Sequence, residues 1–280
     1  GRDASAGCRV TVAGVGTLQG LKDDLALSAI KQTVLKYPPL YIARYFKTSE
    51  SLPIHLKSFH MQVIEALTNP KVRRVLIKLP AAHGKTTLTR MCETYLMDMD
   101  RNIRIMHVMN NSTDSEMHQA SIQNSMEDKN GLLYQERGPF KGSQWRTTDF
   151  MIAGRTINDP WPTFAALGAE SNVVGHRADL IVCDDILDLK NSGPLVTERS
   201  RQAIRDWFFQ ALLKVAEPRG KVVVIGTAMD FRDLYEELEQ NKTGHGRQVV
   251  VENDEVGLLT TDPSHSVHNA EAGVHRVDDV

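Results

Sequence analysis

The stretch RRVLIKLPAAHGKTTLTRM, residues 73–91, limits what this chain can fold into more than any other. Apolar residues 75–79 read as a short strand, Pro80 opens a turn, and Gly84-Lys85-Thr86 leads into a helical pattern. In that order the first N–H groups of the helix, which have no partner inside it, point back at the turn, where the helix dipole favours negative charge. Such a turn suits phosphate: Gly84 lets the backbone curl close, Lys85 reaches the terminal phosphates, and the Thr86 hydroxyl can hold Mg²⁺. The complete pattern has a further Gly five residues before Gly84, and Leu79 occupies that position. A Gly-Lys-Ser/Thr tripeptide arises by chance in roughly one chain in seven of this length. Half a motif therefore needs partners elsewhere before a plain surface turn can be set aside.

Candidate partners stand at the ends of other strands. Residues 178–182 form an apolar run that leads into Cys183-Asp184-Asp185. In a nucleotide hydrolase the first acid at such a point binds Mg²⁺ through water, and the second orients or deprotonates the attacking water. The competing reading is a solvated Asp-Asp turn after a buried strand. Asp185 is shorter than the Glu usual in that role, so it needs a closer approach or a bridging water. Residues 221–225 (KVVVI) have the continuous apolar character of a strand buried on both faces. They end in Gly226-Thr227, which could sense the γ-phosphate and couple it to the next helix, or could be a Gly turn with a Thr cap. Gln62, on a helical segment before the first strand, offers donor and acceptor together, which suits an adenine edge; a surface polar pair with His60 is the alternative. Arg177, just before the acidic strand, reads either as an arginine finger acting on a neighbouring subunit or as an ordinary salt-bridge partner.

Around these points, helical periodicity marks residues 21–35, 56–67, 112–126 and 231–238, with the most regular stripe at 194–215. Short strands are predicted at 103–109, 147–153 and 163–167, and residues 129–143 read as a polar surface loop. Strands alternating with helices imply an α/β fold, a mostly parallel sheet with helices on both faces, whose ligands bind at the carboxyl ends of the strands. Residues 1–20 read as a poorly ordered leader, 21–240 as one domain, and 241–280 as a weakly ordered tail apart from an apolar patch at 249–251. The formal net charge of −2 argues against a basic coat that neutralises nucleic acid wholesale, though not against a local basic face. Cys8, Cys92 and Cys183 lack the spacing of a zinc site or a disulfide framework. No apolar run approaches the roughly eighteen residues of a membrane span.

Taken together, these residues resemble the ATPase domain of the large terminase subunit, the motor that packages DNA into tailed-phage capsids. The resemblance runs over residues 52–238. It is carried by Phe59-His60-Met61-Gln62, by a variant phosphate loop Pro80-Ala81-Ala82-His83-Gly84-Lys85-Thr86-Thr87, and by Gly175-His176-Arg177 leading to Asp184-Asp185. Ile225-Gly226-Thr227 with Asp233-Leu234-Tyr235 completes it. The family commonly replaces the first Gly of the loop and keeps a Pro near its start, as Leu79 and Pro80 do here.

The resemblance implies a P-loop NTPase fold of the ASCE type, ATP and Mg²⁺ as ligands, and Lys85, Asp185 and Arg177 in catalysis. It assigns residues 80–87 and Gln62 to nucleotide binding, Thr86 and Asp184 to the metal, and Gly226 and Thr227 to coupling. It further implies double-stranded DNA, a portal protein, a small terminase subunit and a homo-oligomeric ring as partners, in the host cytoplasm at the procapsid. Two departures stand out: Ala228-Met229-Asp230 follow Thr227 where the family often has Arg-Trp-His, and Val174 occupies the place where some relatives carry the trans-acting arginine. The family's nuclease domain is not expected in the roughly forty residues after Gln240. A helicase-like translocase and a nucleotide-binding remnant without turnover are the rival readings.

Overall fold

The structure, a computed structural model, describes residues 18–48, 50–80, 82–187, 196–227, 234–240, 248–252 and 258–260. The expected leader lies almost wholly outside the described residues, as do Ala81, residues 228–233 and most of the tail. Strands β1 (Arg74–Lys78), β2 (Ile105–Met109), β3 (Lys141–Trp145), β4 (Asp149–Ile152), β5 (Phe164–Gly168), β6 (Ala178–Asp184), β7 (Ala216–Gly226), β8 (Gln248–Glu252) and β9 (Leu258–Thr260) join in one sheet. Their spatial order is β3-β4-β5-β2-β6-β7-β1-β8-β9. From β5 to β8 every pairing is parallel, and the antiparallel β3, β4 and β9 close the two edges. Parallel strands need crossovers, and the helices that make them cover both faces.

Each central strand divides its apolar residues between two cores, as the period of two along a strand requires. Val75, Ile77, Leu180, Val182, Val223 and Ile225 face one side. There they meet α3 (Ser58–Thr68), α4 (Lys85–Met99) and α5 (Ser112–Glu127) through residues such as Ile64, Met91 and Ile122. Leu76, Ile181, Cys183, Val222 and Val224 face the other side, against α7 (Glu198–Asp206) and α8 (Leu234–Gln240). Burying one such aliphatic side chain contributes roughly 1.5–3 kcal/mol, so these two layers hold the sheet between its helices.

Several sequence expectations are corrected. The helix expected over 21–35 is α1 (Leu18–Lys36), and a helix the sequence reading did not expect, α2 (Pro38–Tyr45), opens at Pro38, because a residue with no N–H to satisfy and a fixed φ suits a first helical position. The loop expected at 129–143 contains α6 (Leu132–Arg137) and the first part of β3. The single helix expected over 194–215 changes pitch: α7 gives way to a π-helical turn at Trp207–Ala211 and a 3₁₀ turn at Leu212–Val215. The boundary placed after Gln240 falls within the sheet, since β8 pairs with β1 along its whole length. Finally, the motor reading expects Asp184 at the end of the strand beside β1; instead β7 lies between β6 and β1. The α/β class with a mostly parallel sheet stands, while the neighbour relation changes.

Candidate functional site

At the carboxyl end of β1 the chain turns through two left-handed residues, Ala82 (φ 63°) and Gly84 (φ 70°), before α4 begins at Lys85. Left-handed backbone is strained for residues with a Cβ, which fits Gly at the N-cap and makes Ala82 a point of strain, on the order of 1–2 kcal/mol. A Cβ built on Gly84 would meet nothing within 4 Å, so the space over the helix start is open. Pro80, Ala82, Gly84 and Thr87 are exposed and His83 and Thr86 half-buried, whereas Lys85 is buried. Leu79 explains its own place in the motif. Its side chain is buried in the core, and its carbonyl faces the site, accepting from Lys85 Nζ at 2.9 Å and from Thr227 Oγ1 at 2.9 Å.

Three strand ends meet here. Lys85 Nζ also donates to Thr227 Oγ1 (2.8 Å), beyond β7, and reaches Asp185 Oδ1 at 3.5 Å, beyond β6. The loops are tied by backbone as well: Leu79 N–H donates to Gly226 O and Asp185 N–H to Ile225 O. A side chain at Gly226 would collide with the Tyr235 ring, which packs against it from α8. Asp185 itself sits in the left-handed region (φ 46°), and its carboxylate is half-exposed.

Asp184 is different in kind. It is fully buried at the end of β6, and neither carboxylate oxygen has a hydrogen bond of ordinary geometry. Burial raises its pKa from the usual carboxylate range to about 6, held back by the charge of His107 and by the facing Thr86 hydroxyl. A buried acceptor pair with no hydrogen bond of ordinary geometry, facing a threonine in the first turn of α4, could meet a hydrated cation.

The remaining expected residues divide. The first turn of α3 borders the loop, with Phe59 5.9 Å from His83, and the buried Oε1 of Gln62 has no partner. Arg177 is not brought to this site. It precedes the first residue of seven-residue β6, so at about 3.3 Å per residue it stands ~20 Å along the strand from Asp184, where it pairs with Glu217 at 3.5 Å.

The sequence reading missed a buried ionic cluster beside the site. Glu93 on α4 contacts His107 Nδ1 (2.7 Å) from β2 and His118 Nε2 (2.6 Å) from α5, one through each carboxylate oxygen. The two imidazoles stack with centroids 3.8 Å apart and planes 13° from parallel. Burial would raise the Glu93 pKa, but the charge and hydrogen bonds of both histidines more than offset it and bring it to about 2. Burial lowers the His107 pKa, and the Glu93 charge overcomes that to raise it; His118, desolvated and stacked on a charged neighbour, is lowered. The cluster's only sequence signals were a Glu on a buried helix stripe and a His inside an apolar strand.

With this geometry in hand, comparison with known proteins gives a direction. The large terminase subunit of Enterobacteria phage T3 is 25% identical over 198 residues, covering 69% of this chain and 32% of that protein. The chain is similar to a phage large terminase subunit. It spans about a third of the length of that curated relative. Among solved structures, the large terminase of bacteriophage HK97 aligns with a TM-score of 0.49 and 16% identity, over 72% of this chain and 40% of that one. No protein-family model matches the chain. The terminase resemblance read from the motifs is therefore met by an independent sequence match.

Proposed function

We propose that the chain is the ATP-hydrolysing motor part of a large terminase, coupling Mg²⁺-ATP turnover to movement of double-stranded DNA into a procapsid. The observation that carries this reading is the meeting of Lys85, Asp185 and Thr227 beside the buried Asp184 and an open helix start. The residues fit the ligand: the N–H groups at the start of α4 and Lys85 suit phosphate, and Thr86 with Asp184 suits a hydrated Mg²⁺. Mg²⁺ bound there would neutralise charge on the phosphates during transfer.

Each side chain then has a task. Lys85, now shared among the Leu79 carbonyl, Thr227 and Asp185, would turn toward the phosphates and release Thr227 and Asp185. Asp185, freed and half-exposed, would orient the attacking water and accept its proton. Thr227, still tied to the Leu79 carbonyl, would register the change at the end of β7 and pass it through Gly226 to Tyr235 on α8. Gln62 would read the adenine edge. Arg177, remote from its own site, would act only on the nucleotide of a neighbouring copy, which requires a ring. A portal protein and a small terminase subunit are the partners this role implies, in the host cytoplasm at the procapsid; none of the described helices is long and apolar enough to cross a membrane.

The test is ATP hydrolysis with and without double-stranded DNA, compared with Lys85→Ala. The parent should turn over ATP faster with DNA, and the variant should lose at least about 100-fold in rate. Equal rates in the two proteins would sink the motor reading.

A further inference from the structure

We propose that Glu93, gripped by His107 and His118, is a positioning residue that sets the roll of α4 and so holds Thr86 toward Asp184. The inference rests on the ATPase reading above and deepens it.

Thr86 and Glu93 are seven residues apart, and seven residues turn an α-helix through about 700°, only ~20° short of two full turns. The two side chains therefore leave α4 in almost the same direction, about 10 Å apart along its axis. On the sheet beneath, His107 is level with Val182 of β6, and Asp184 lies two residues further on the same face. The helix thus has two polar footings on one line: Thr86 faces Asp184, and Glu93 meets His107. Between them the Thr89 hydroxyl donates to the Lys85 carbonyl of its own helix, so it adds no third footing. Asp98, further along α4, is also held, by Tyr41 and Arg137, but it lies twelve residues from Thr86; nearer the site the apolar contacts of α4 permit small rolls, since dispersion and burial have little directionality. Two short hydrogen bonds to separate oxygens of one carboxylate do not. They also come from different elements, β2 and α5, so the roll is referred to the sheet and to the next helix at once.

Two other readings of the cluster fail. Glu93, His107 and His118 have the composition of a metal site. A metal bound by two imidazoles lies in the plane of both, and rings stacked 3.8 Å apart and nearly parallel share no such point near their nitrogens. Stability alone is a weak reason for the cluster, because buried ion pairs replaced by apolar groups of similar size are often as stable or more so.

The experiment compares the 280-residue chain with its triple variant Glu93→Leu/His107→Leu/His118→Leu, which fills the same volume without directional contacts. Amide hydrogen exchange without nucleotide is read at residues 88–91, the first amides of α4 with helical hydrogen bonds, and the Mg²⁺ concentration for half-maximal ATP hydrolysis is read alongside. Exchange in that first turn should quicken about tenfold, and the half-saturating Mg²⁺ should rise about tenfold, with a melting temperature at or near that of the parent. A merely structural cluster would shift the melting temperature and leave both readouts where they were, and that result overturns the proposal. If the triple variant does not fold, Glu93→Gln is judged by the same readouts, with smaller changes in the same direction expected. If the parent hydrolyses no ATP, the motor reading fails, and the exchange measurement still decides whether Glu93 governs the first turn of α4.

Discussion

Two buried carboxylates face the same side of the same sheet, and the fold treats them in opposite ways. Glu93 has a donor for each oxygen and is held ionised, its pKa brought to about 2. Asp184 has no hydrogen bond of ordinary geometry, and burial raises its pKa to about 6. A buried charge completed by protein donors belongs to the architecture; one left without them is strained until something else completes it. On the proposed reading, the contrast separates a group that holds the site's shape from a group that awaits a ligand.

Making each acid its amide tests that contrast, because the two changes should differ in sign. Glu93→Gln removes the anion that two histidines surround and should destabilise the fold by roughly 2–3 kcal/mol at pH 7, measured by denaturant unfolding. Asp184→Asn removes a charge that burial disfavours and should stabilise it by roughly 1–3 kcal/mol under the same conditions, since each pKa unit is worth about 1.4 kcal/mol. Loss of stability in both variants would erase the distinction.

The pH dependence of stability sharpens it further, with smaller effects. Glu93, lowered from 4.5 to about 2, contributes stability that is complete above pH 4.5 and lost as the pH falls toward 2. Asp184, raised from 3.8 to about 6, acts the other way: its contribution is complete below pH 3.8 and lost as the pH rises through 6. Unfolding curves from pH 2 to 8 should therefore lose part of their acid limb in Glu93→Gln, and part of their decline between pH 4 and 6 in Asp184→Asn. His107 is raised and His118 lowered, so their contributions near pH 6.5 oppose one another. The smallest expected effect is that of Thr86→Val. It removes a group that favours the ionised form of Asp184, so the carboxyl carbon signal of Asp184 should titrate above about pH 6.

What could be read from the sequence follows the same division. The turn between β1 and α4, the paired acids and Gly226-Thr227 were legible because each is a local arrangement at a strand end. Their meeting at one end of the sheet follows from parallel topology. The strand order was not legible: β7 comes late in the chain yet inserts between β6 and β1, and spacing along the sequence carries no trace of that. Glu93 was hidden for a related reason. A charged residue on a helix reads as solvent-facing until its partners are known, and His107 and His118 come from two other elements. Arg177 was legible as standing before the acidic strand, and the length of β6 sets it at the end opposite Asp184.

The most direct measurement of the central claim is the thermal stabilisation that Mg²⁺ adds to ATP binding. With ATP in excess, the melting temperature is compared with Mg²⁺ and with a chelator, for the parent and for Asp184→Asn. A ligand at 100 times its dissociation constant stabilises a native state by about 2.7 kcal/mol. If Asp184 is unsatisfied because it awaits the metal, Mg²⁺ should add to the shift in the parent and add almost nothing in Asp184→Asn, whose ligand-free form already melts higher. An equal Mg²⁺ increment in both proteins would contradict the account.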